Sequence, residues 1–220
     1  MKNKFLYILI SLAVATSSCE KKLDIDPTQS IDEKEALLTS SDVEAALVGA
    51  YSDLGDADVY GGSLFVRSEL LGNSASSINW SGTFQTMTQI YNKLIPVDNS
   101  DVSDTWTDSY QTINDVNNVL SAIDIVLDNK KARVEGEAKF IRGCMYFDLV
   151  RLYAKAWNDG NPANNDGVPL VLEPTRAPLG EEDKKPRAKV SAVYDQIIKD
   201  LTEAEALLPQ TNSFFATKYA

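Results

Sequence analysis

The chain has 220 residues, with 21 Lys and Arg against 32 Asp and Glu, and it contains no histidine. The missing histidine excludes Ser-His and Cys-His nucleophile pairs and His-ligated zinc, and the net charge of −11 argues against nucleic-acid binding, which needs a basic surface. The hydrophobic content of 44% and charged content of 24% are typical of a globular chain with a sizeable core.

Residues 1–18 have the layout of a secretory signal. Two lysines precede a run over residues 5–15 that is apolar except for Ser11, and three small residues lead to Cys19. The run is too short to cross a bilayer, which takes about 20 residues. We therefore expect a lipoprotein signal peptide over residues 1–18, cleaved before a lipidated Cys19. A plain secreted protein with an unmodified cysteine is the alternative.

The segment 19–40 is charged and rich in turn-forming residues, and it is predicted to be a tether. A capping box of Ser41 and Glu44 predicts the start of the first helix, apolar residues recur at helical spacing after it, and Gly55 predicts its end. A helical domain is therefore expected over residues 41–220.

The long segment 56–100 is rich in glycine, serine and asparagine, and helical patterns occur in it only over residues 64–71 and 87–94. Long irregular segments inside a compact domain are typically functional or disordered. The aromatic residues of this segment argue against disorder, so the sequence favours a functional role.

Two long helices are predicted next, at residues 106–127 and 134–156, with a break at residues 128–130. The second is apolar on nearly all sides at its centre, which predicts the most buried helix and a buried, unreactive thiol at Cys144. Within it, Asp148 lies in register for an ion pair with Arg142 or Arg151.

A last complete helix is predicted from a cap at Ser191 to Pro209, and residues 213–220 resemble the first turn of another helix. We therefore expect a chain truncated at its C-terminus. The predicted fold is all-α, with helical pairs joined by long decorated loops in the manner of tetratricopeptide stacking.

Several short segments follow one another in a specific order and spacing. They are Cys19, Leu23–Thr28, Ala46–Tyr51, Thr105–Tyr110, Gly136–Arg142, Tyr146–Tyr153, Val168–Val171 and Val193–Leu201. Together they resemble the SusD/RagB family of outer-membrane nutrient-binding lipoproteins. Two departures are the Gly143-Cys144 pair, where the family usually has Ala after Arg, and the length, since family members are about twice as long.

The resemblance implies a SusD-like N-terminal helical region that binds oligosaccharide at the cell surface and delivers it to a TonB-dependent SusC-like transporter. It also implies a lipid anchor at Cys19 in the outer membrane. No enzyme activity, no cofactor, no metal and no nucleic-acid partner are expected from it.

Sugar capture requires aromatic faces and planar polar groups. The loop from Tyr60 to Phe84 supplies both, so we expect Trp80 to be a stacking platform, with Arg67, Asn73 and Asn79 as hydroxyl partners. The alternative is that Trp80 only packs the loop onto the helices. The other two tryptophans, Trp106 and Trp157, are predicted to pack in the interior.

Two other functions remain open at this point. A glycoside hydrolase would need two suitably spaced carboxyl groups, and no pair is marked out by its setting in the sequence. A helical-repeat adaptor without a glycan ligand would be supported if Trp80 were buried.

Overall fold

A computed structural model describes residues 36–72, 78–176, 180, 184–212 and 215–218. Its helices are α1 (Ser40–Leu54), α2 (Ser63–Gly72), α3 (Gln85–Tyr91), α4 (Ser100–Ser121), α5 (Asp128–Tyr153) and α6 (Val190–Leu207), with a 3-10 turn at Ile123–Ile125 between α4 and α5. Within the described residues the β-structure is limited to an isolated bridge between Asp166 and Lys189. The predicted all-α class is therefore confirmed.

The core forms around α5, which packs against α4 on one side and α6 on another, while α1 packs on α4. Successive long helices are thus neighbours, as the predicted helical pairs require. Burial of α5 on nearly all sides is confirmed, and it contributes the largest fully buried side chains, including Tyr146, Ile141, Met145 and Leu149. Such burial stabilises the fold by about 25 cal/mol per Å² of apolar surface.

The first helix has its cap two residues before the predicted one. Thr39 is extended, its hydroxyl accepts from the backbone N–H of Asp42, and the Asp42 carboxylate accepts from the backbone of Thr39. The predicted box of Ser41 and Glu44 is therefore wrong. Glu44 instead binds Lys130 and Arg133 of α5, whereas the predicted helix end at Gly55 is confirmed.

The junctions of the later helices also differ from their predicted positions. Residues 128–130 do not break the chain but form the first turn of α5, where Asp128 lies at the positive end of the helix dipole. The break comes earlier, at residues 122–127, and α5 ends at Tyr153. Lys189 precedes α6 and makes no capping bond, so the predicted cap at Ser191 is wrong.

Of the two partners predicted for Asp148 inside α5, one is confirmed. Asp148 contacts Arg151 at 3.3 Å, but Arg142 reaches across to Asp200 of α6 at 2.8 Å. Because Arg142 and Asp200 are 58 positions apart, only the packing of α5 on α6 brings them together.

The described residues 215–218 form a bend and a turn, not the predicted helical turn. Ala216 is buried against Ala204 and Leu208, and its backbone N–H donates to the hydroxyl of Tyr51. These contacts cover the end of α6.

Residues 37–220 make one compact unit. The signal peptide, Cys19 and most of the tether lie outside the described residues and stay predictions. Among the residues that the structure describes, no helix is both long and apolar enough to cross a membrane.

Candidate functional site

Trp80 lies in the irregular segment before α3, and two contacts hold its ring. The indole N–H donates to the hydroxyl of Thr88 on α3 over 2.9 Å. The six-membered ring of the indole lies against Gly82, where a Cβ atom would collide with it. Trp80 is half-buried, and exposed Asn79 and Phe84 lie close to it along the chain. The ring is therefore fixed while part of it stays in contact with solvent.

Arg67 lies on the buried face of α2 and is 7% exposed. Its guanidinium donates to the carboxylates of Asp58 and Asp101 and to the hydroxyl of Thr105. Within the described residues, Nε of Arg67 and Oδ2 of Asp101 are buried without a hydrogen-bond partner. Leaving such groups unpaired costs about 1–3 kcal/mol each. The hydrogen-bond network of Arg67 is therefore incomplete by one donor and one acceptor.

The unpaired groups belong to residues that line a cavity of about 80 Å³ between α2, α3, α4 and α5. The other lining residues are mainly apolar: Leu71, Ile90, Ile95, Val102, Thr105, Leu152 and Tyr153. A volume of this size holds more than one water-sized group. The cavity thus lies beside the Arg67 network, although the two unpaired atoms are themselves buried.

The predicted site residues do not form one cluster. Trp80 and Asn79 share the segment before α3, and the side-chain amide of Asn79 is exposed there. Arg67 lies on α2, which packs against the same α3. Asn73 falls outside the described residues. Asp58 and Asp101 have no signal in the sequence, because their pairing with Arg67 depends on packing that no local pattern shows.

Two carboxyl groups on α1 and α4 form a second unusual contact. Burial first, and then a hydrogen bond with Asp53, raises the pKa of Asp115 to about 7. A glycoside hydrolase needs its carboxyl groups about 5–9.5 Å apart. Two carboxyl groups in direct hydrogen bond are closer than that, so this pair does not match a hydrolase site.

Three carboxylates, those of Asp56, Asp58 and Asp108, bring oxygen atoms within 4.8 Å of one another. Calcium takes six to eight oxygen ligands, and Asp58 is already paired with Arg67. Burial first, and then Asp56 and Asp58, raise the pKa of Asp108, as expected for carboxylates that repel each other. We assign no metal to this group.

The remaining predicted side chains differ in their outcome. Trp106 packs between Tyr110 and Tyr153, with ring centroids at 4.9 and 5.0 Å, which confirms its core role. Trp157 is 50% exposed, so the packing predicted for it is confirmed only in part. Cys144 is a free thiol, and burial raises its pKa to about 11, which confirms that it is unreactive.

The sequence profile of SusD-like proteins, a family described as starch-binding and associating with the outer membrane, matches residues 21–220. The chain belongs to the SusD-like family. It is 28% identical to SusD-like protein P25 of Formosa agariphila over 100% of this chain and 41% of that protein. It is 30% identical to SusD-like protein P38 of the same organism over 94% of this chain and 37% of that protein.

Solved structures support the same assignment. A SusD-like carbohydrate binding protein from Bacteroides vulgatus is 28% identical, with a TM-score of 0.63 over 81% of this chain and 37% of that one. A SusD superfamily protein from Bacteroides fragilis is 27% identical, with a TM-score of 0.66 over 83% and 43%. A laminarin binding SusD-like protein, at 23% identity and a TM-score of 0.58 over 82% and 37%, shares the fold. The chain thus spans about 40% of the length of such relatives.

Proposed function

We propose that this protein is a glycan-binding lipoprotein of the cell surface that delivers oligosaccharide to a TonB-dependent SusC-like transporter. The observation that carries the proposal is the fixed, half-buried ring of Trp80 beside the exposed amide of Asn79. The family is described as starch-binding, and one protein of the same fold is described as laminarin-binding. Both descriptions favour a glycan as the ligand.

In the proposed complex, the apolar face of a sugar ring stacks on the indole of Trp80. The amide of Asn79 pairs with sugar hydroxyls, and Asn73 is proposed to do the same. Arg67 is proposed as a further hydroxyl partner, through the cavity that this residue lines. Stacking of one sugar contributes only about 1 kcal/mol beyond area burial, so we expect a Kd of roughly micromolar to millimolar size.

The glycan proposal is tested by calorimetry on the full-length protein with starch- and laminarin-derived oligosaccharides. Trp80→Ala is expected to weaken binding about tenfold, which corresponds to about 1.4 kcal/mol, and to leave helix content unchanged. Trp106→Ala is the matched control, since truncating this packed ring lowers stability by about 3–5 kcal/mol. Wild-type affinity in Trp80→Ala, or unfolding of that variant, would contradict the assignment of Trp80.

The proposed location at the outer membrane rests on the predicted signal peptide, and the family description agrees with it. The net charge of −11 does not favour binding to an anionic membrane surface, so the attachment must come from a lipid on Cys19. Cells labelled with clickable palmitate should show a labelled wild-type protein and an unlabelled Cys19→Ala variant. Equal labelling of the two would exclude this anchor.

The proposed binding role includes no catalysis. Incubation of the protein with the oligosaccharides that it binds should release no shorter product by chromatography. Turnover would favour a carboxylate-dependent hydrolase instead.

A further inference from the structure

A second group of aromatic side chains lies on the surface where α5, α6 and the loop between them meet. Trp157 contacts Tyr194 edge to face, with ring centroids at 5.2 Å, and Tyr194 contacts Phe147 at 6.4 Å. Trp157 is 50% exposed and Phe147 is 39% exposed. The rings therefore hold one another in place while much of their surface faces solvent.

A guanidinium group adjoins these rings. Arg151 lies over the ring of Phe147, with 4.8 Å from Cζ to the ring centroid, and its Nη1 donates to Asp148 over 3.3 Å. The Arg151 side chain is 49% exposed. Its other N–H groups have no partner among the described residues, and neither does the hydroxyl of Tyr194. Fixed donors thus lie beside the aromatic surface.

The loop after Trp157 adds planar polar groups. Gly160 has φ +84°, a conformation that favours glycine, and it turns the chain back toward α6. The amide of Asn165 donates to the carbonyl of Asp159 over 2.6 Å and holds the turn closed. Asn158, next to the indole in sequence, is exposed, and its side chain makes no hydrogen bond within the described residues.

We propose that Trp157, Tyr194 and Phe147 form a second carbohydrate-binding surface, which takes a pyranose ring on the indole beside Asn158 and the hydroxyl groups of an adjoining sugar unit on Arg151. The inference rests on the proposed function, because it assumes that the protein binds glycans. Ring faces bordered by amide and guanidinium donors match the apolar faces and the polar rim of a sugar.

A protein partner fits this surface less well. An aromatic side chain offers about 150–250 Å², so the exposed parts of the rings amount to roughly 200–300 Å² in all. A standard protein interface takes about 800 Å² from each partner. The surface is of the size that one or two sugar units cover.

Two contacts on one protein predict a dependence on ligand length. A short oligosaccharide engages one site at a time, whereas a polysaccharide long enough to reach from one site to the other gains from the higher effective concentration of the second contact. The Trp157 surface should therefore matter only for long ligands.

The experiment compares the full-length wild-type protein with Trp157→Ala, by calorimetry with trisaccharides and by affinity electrophoresis in gels containing starch or laminarin. Trp157→Ala should weaken polysaccharide binding roughly three- to tenfold and leave trisaccharide binding unchanged. Trp157→Phe, which keeps an aromatic face, should retain most of the affinity. The matched control is Ile198→Ala, which removes a 62% exposed apolar side chain from the same helix as Tyr194 and should have no effect.

The outcomes separate the two proposals. Wild-type polysaccharide binding by Trp157→Ala, with Trp80→Ala impaired, overturns this inference alone. Equal losses in Trp157→Ala and Ile198→Ala also overturn it, because they show that the loss does not depend on the aromatic face. Failure of the wild-type protein to bind any tested glycan overturns the proposed function and this inference with it.

Discussion

Two arginines of this protein are equally buried, each 7% exposed, but their surroundings differ. Arg142 of α5 donates from Nε and Nη2 to both carboxylate oxygens of Asp200 at 2.8 Å, and from Nη1 to Asn117 at 2.9 Å. Arg67 of α2 binds two carboxylates but keeps Nε unpaired, as Asp101 keeps Oδ2. One network is complete, whereas the other leaves one buried donor and one buried acceptor without a partner among the described residues.

The difference follows from the elements that carry each arginine. Arg142 joins three long helices whose cores are continuous, so its partners are fixed by packing on every side. Arg67 joins a short helix to the start of α4, in the irregular part of the chain that also contains Trp80. Completeness of the polar network thus separates the part of the molecule that maintains the fold from the part to which we assign ligand binding.

The largest effect is expected from Arg142→Ala. The variant leaves the Asp200 carboxylate uncompensated, and Asp200 is 0% exposed. Breaking a buried pair in this way costs about 3–5 kcal/mol, and urea unfolding measures the loss. The control is Arg151→Ala, whose half-exposed ion pair should contribute at most about 1 kcal/mol. A small loss in Arg142→Ala would show that the complete network does not stabilise the fold.

Arg67→Ala should give a smaller loss of stability and a loss of binding. Its partner Asp58 has a 30% exposed side chain and that of Asp101 is 15% exposed, so water can reach both once the arginine is gone. We expect about 1–2 kcal/mol in the same urea experiment, with oligosaccharide affinity reduced in calorimetry. If Arg67→Ala destabilised the protein as much as Arg142→Ala, the comparison between the two arginines would fail.

The sequence predicts the parts of the fold that depend on periodicity. The long helices, the two short helical pieces and the burial of α5 follow from apolar spacing, because that spacing is what the core requires. Helix ends were missed where the capping side chain had a competitor, as with Thr39 in place of Ser41. Glycine at position 143 has no local rationale, but a Cβ there would press on Leu201 of α6.

The candidate site was predictable from the sequence only where neighbouring residues in the chain indicate it. Trp80 and Asn79 stand out because aromatic and amide residues occur there without helical register. The partners Asp58 and Asp101 lie 9 and 34 positions from Arg67, and nothing in the sequence relates them. Trp157 was expected to pack because it follows a buried helix, but α5 ends at Tyr153 and the chain leaves the core before reaching it.

The smallest predicted effect concerns a carboxyl group with no arginine at all. Asp115 has Gln111 and Asp53 as neighbours, and burial, with the Asp53 contact, raises its pKa to about 7. An unfolded aspartate has a pKa of about 3.9. Between these values the folded state binds the extra proton, so the Asp115 contribution to stability is full below about pH 4 and is lost as the pH rises through about 7.

Asp115→Asn removes this titration and keeps a hydrogen-bonding side chain. Because Asp115 is partly exposed and screened by solvent, we expect a gain of only about 1 kcal/mol above pH 7, or about 2–4 °C in Tm, and no gain near pH 4. Thermal unfolding followed by circular dichroism from pH 4 to 8 measures the difference from wild type. The control is Asp195→Asn, at an exposed position of α6, whose difference from wild type should not change with pH. A difference for Asp115→Asn that is equally flat would show that Asp53 and Asp115 do not share a proton in solution, and that the Asp115 carboxyl is charged at this place in the fold without an arginine beside it.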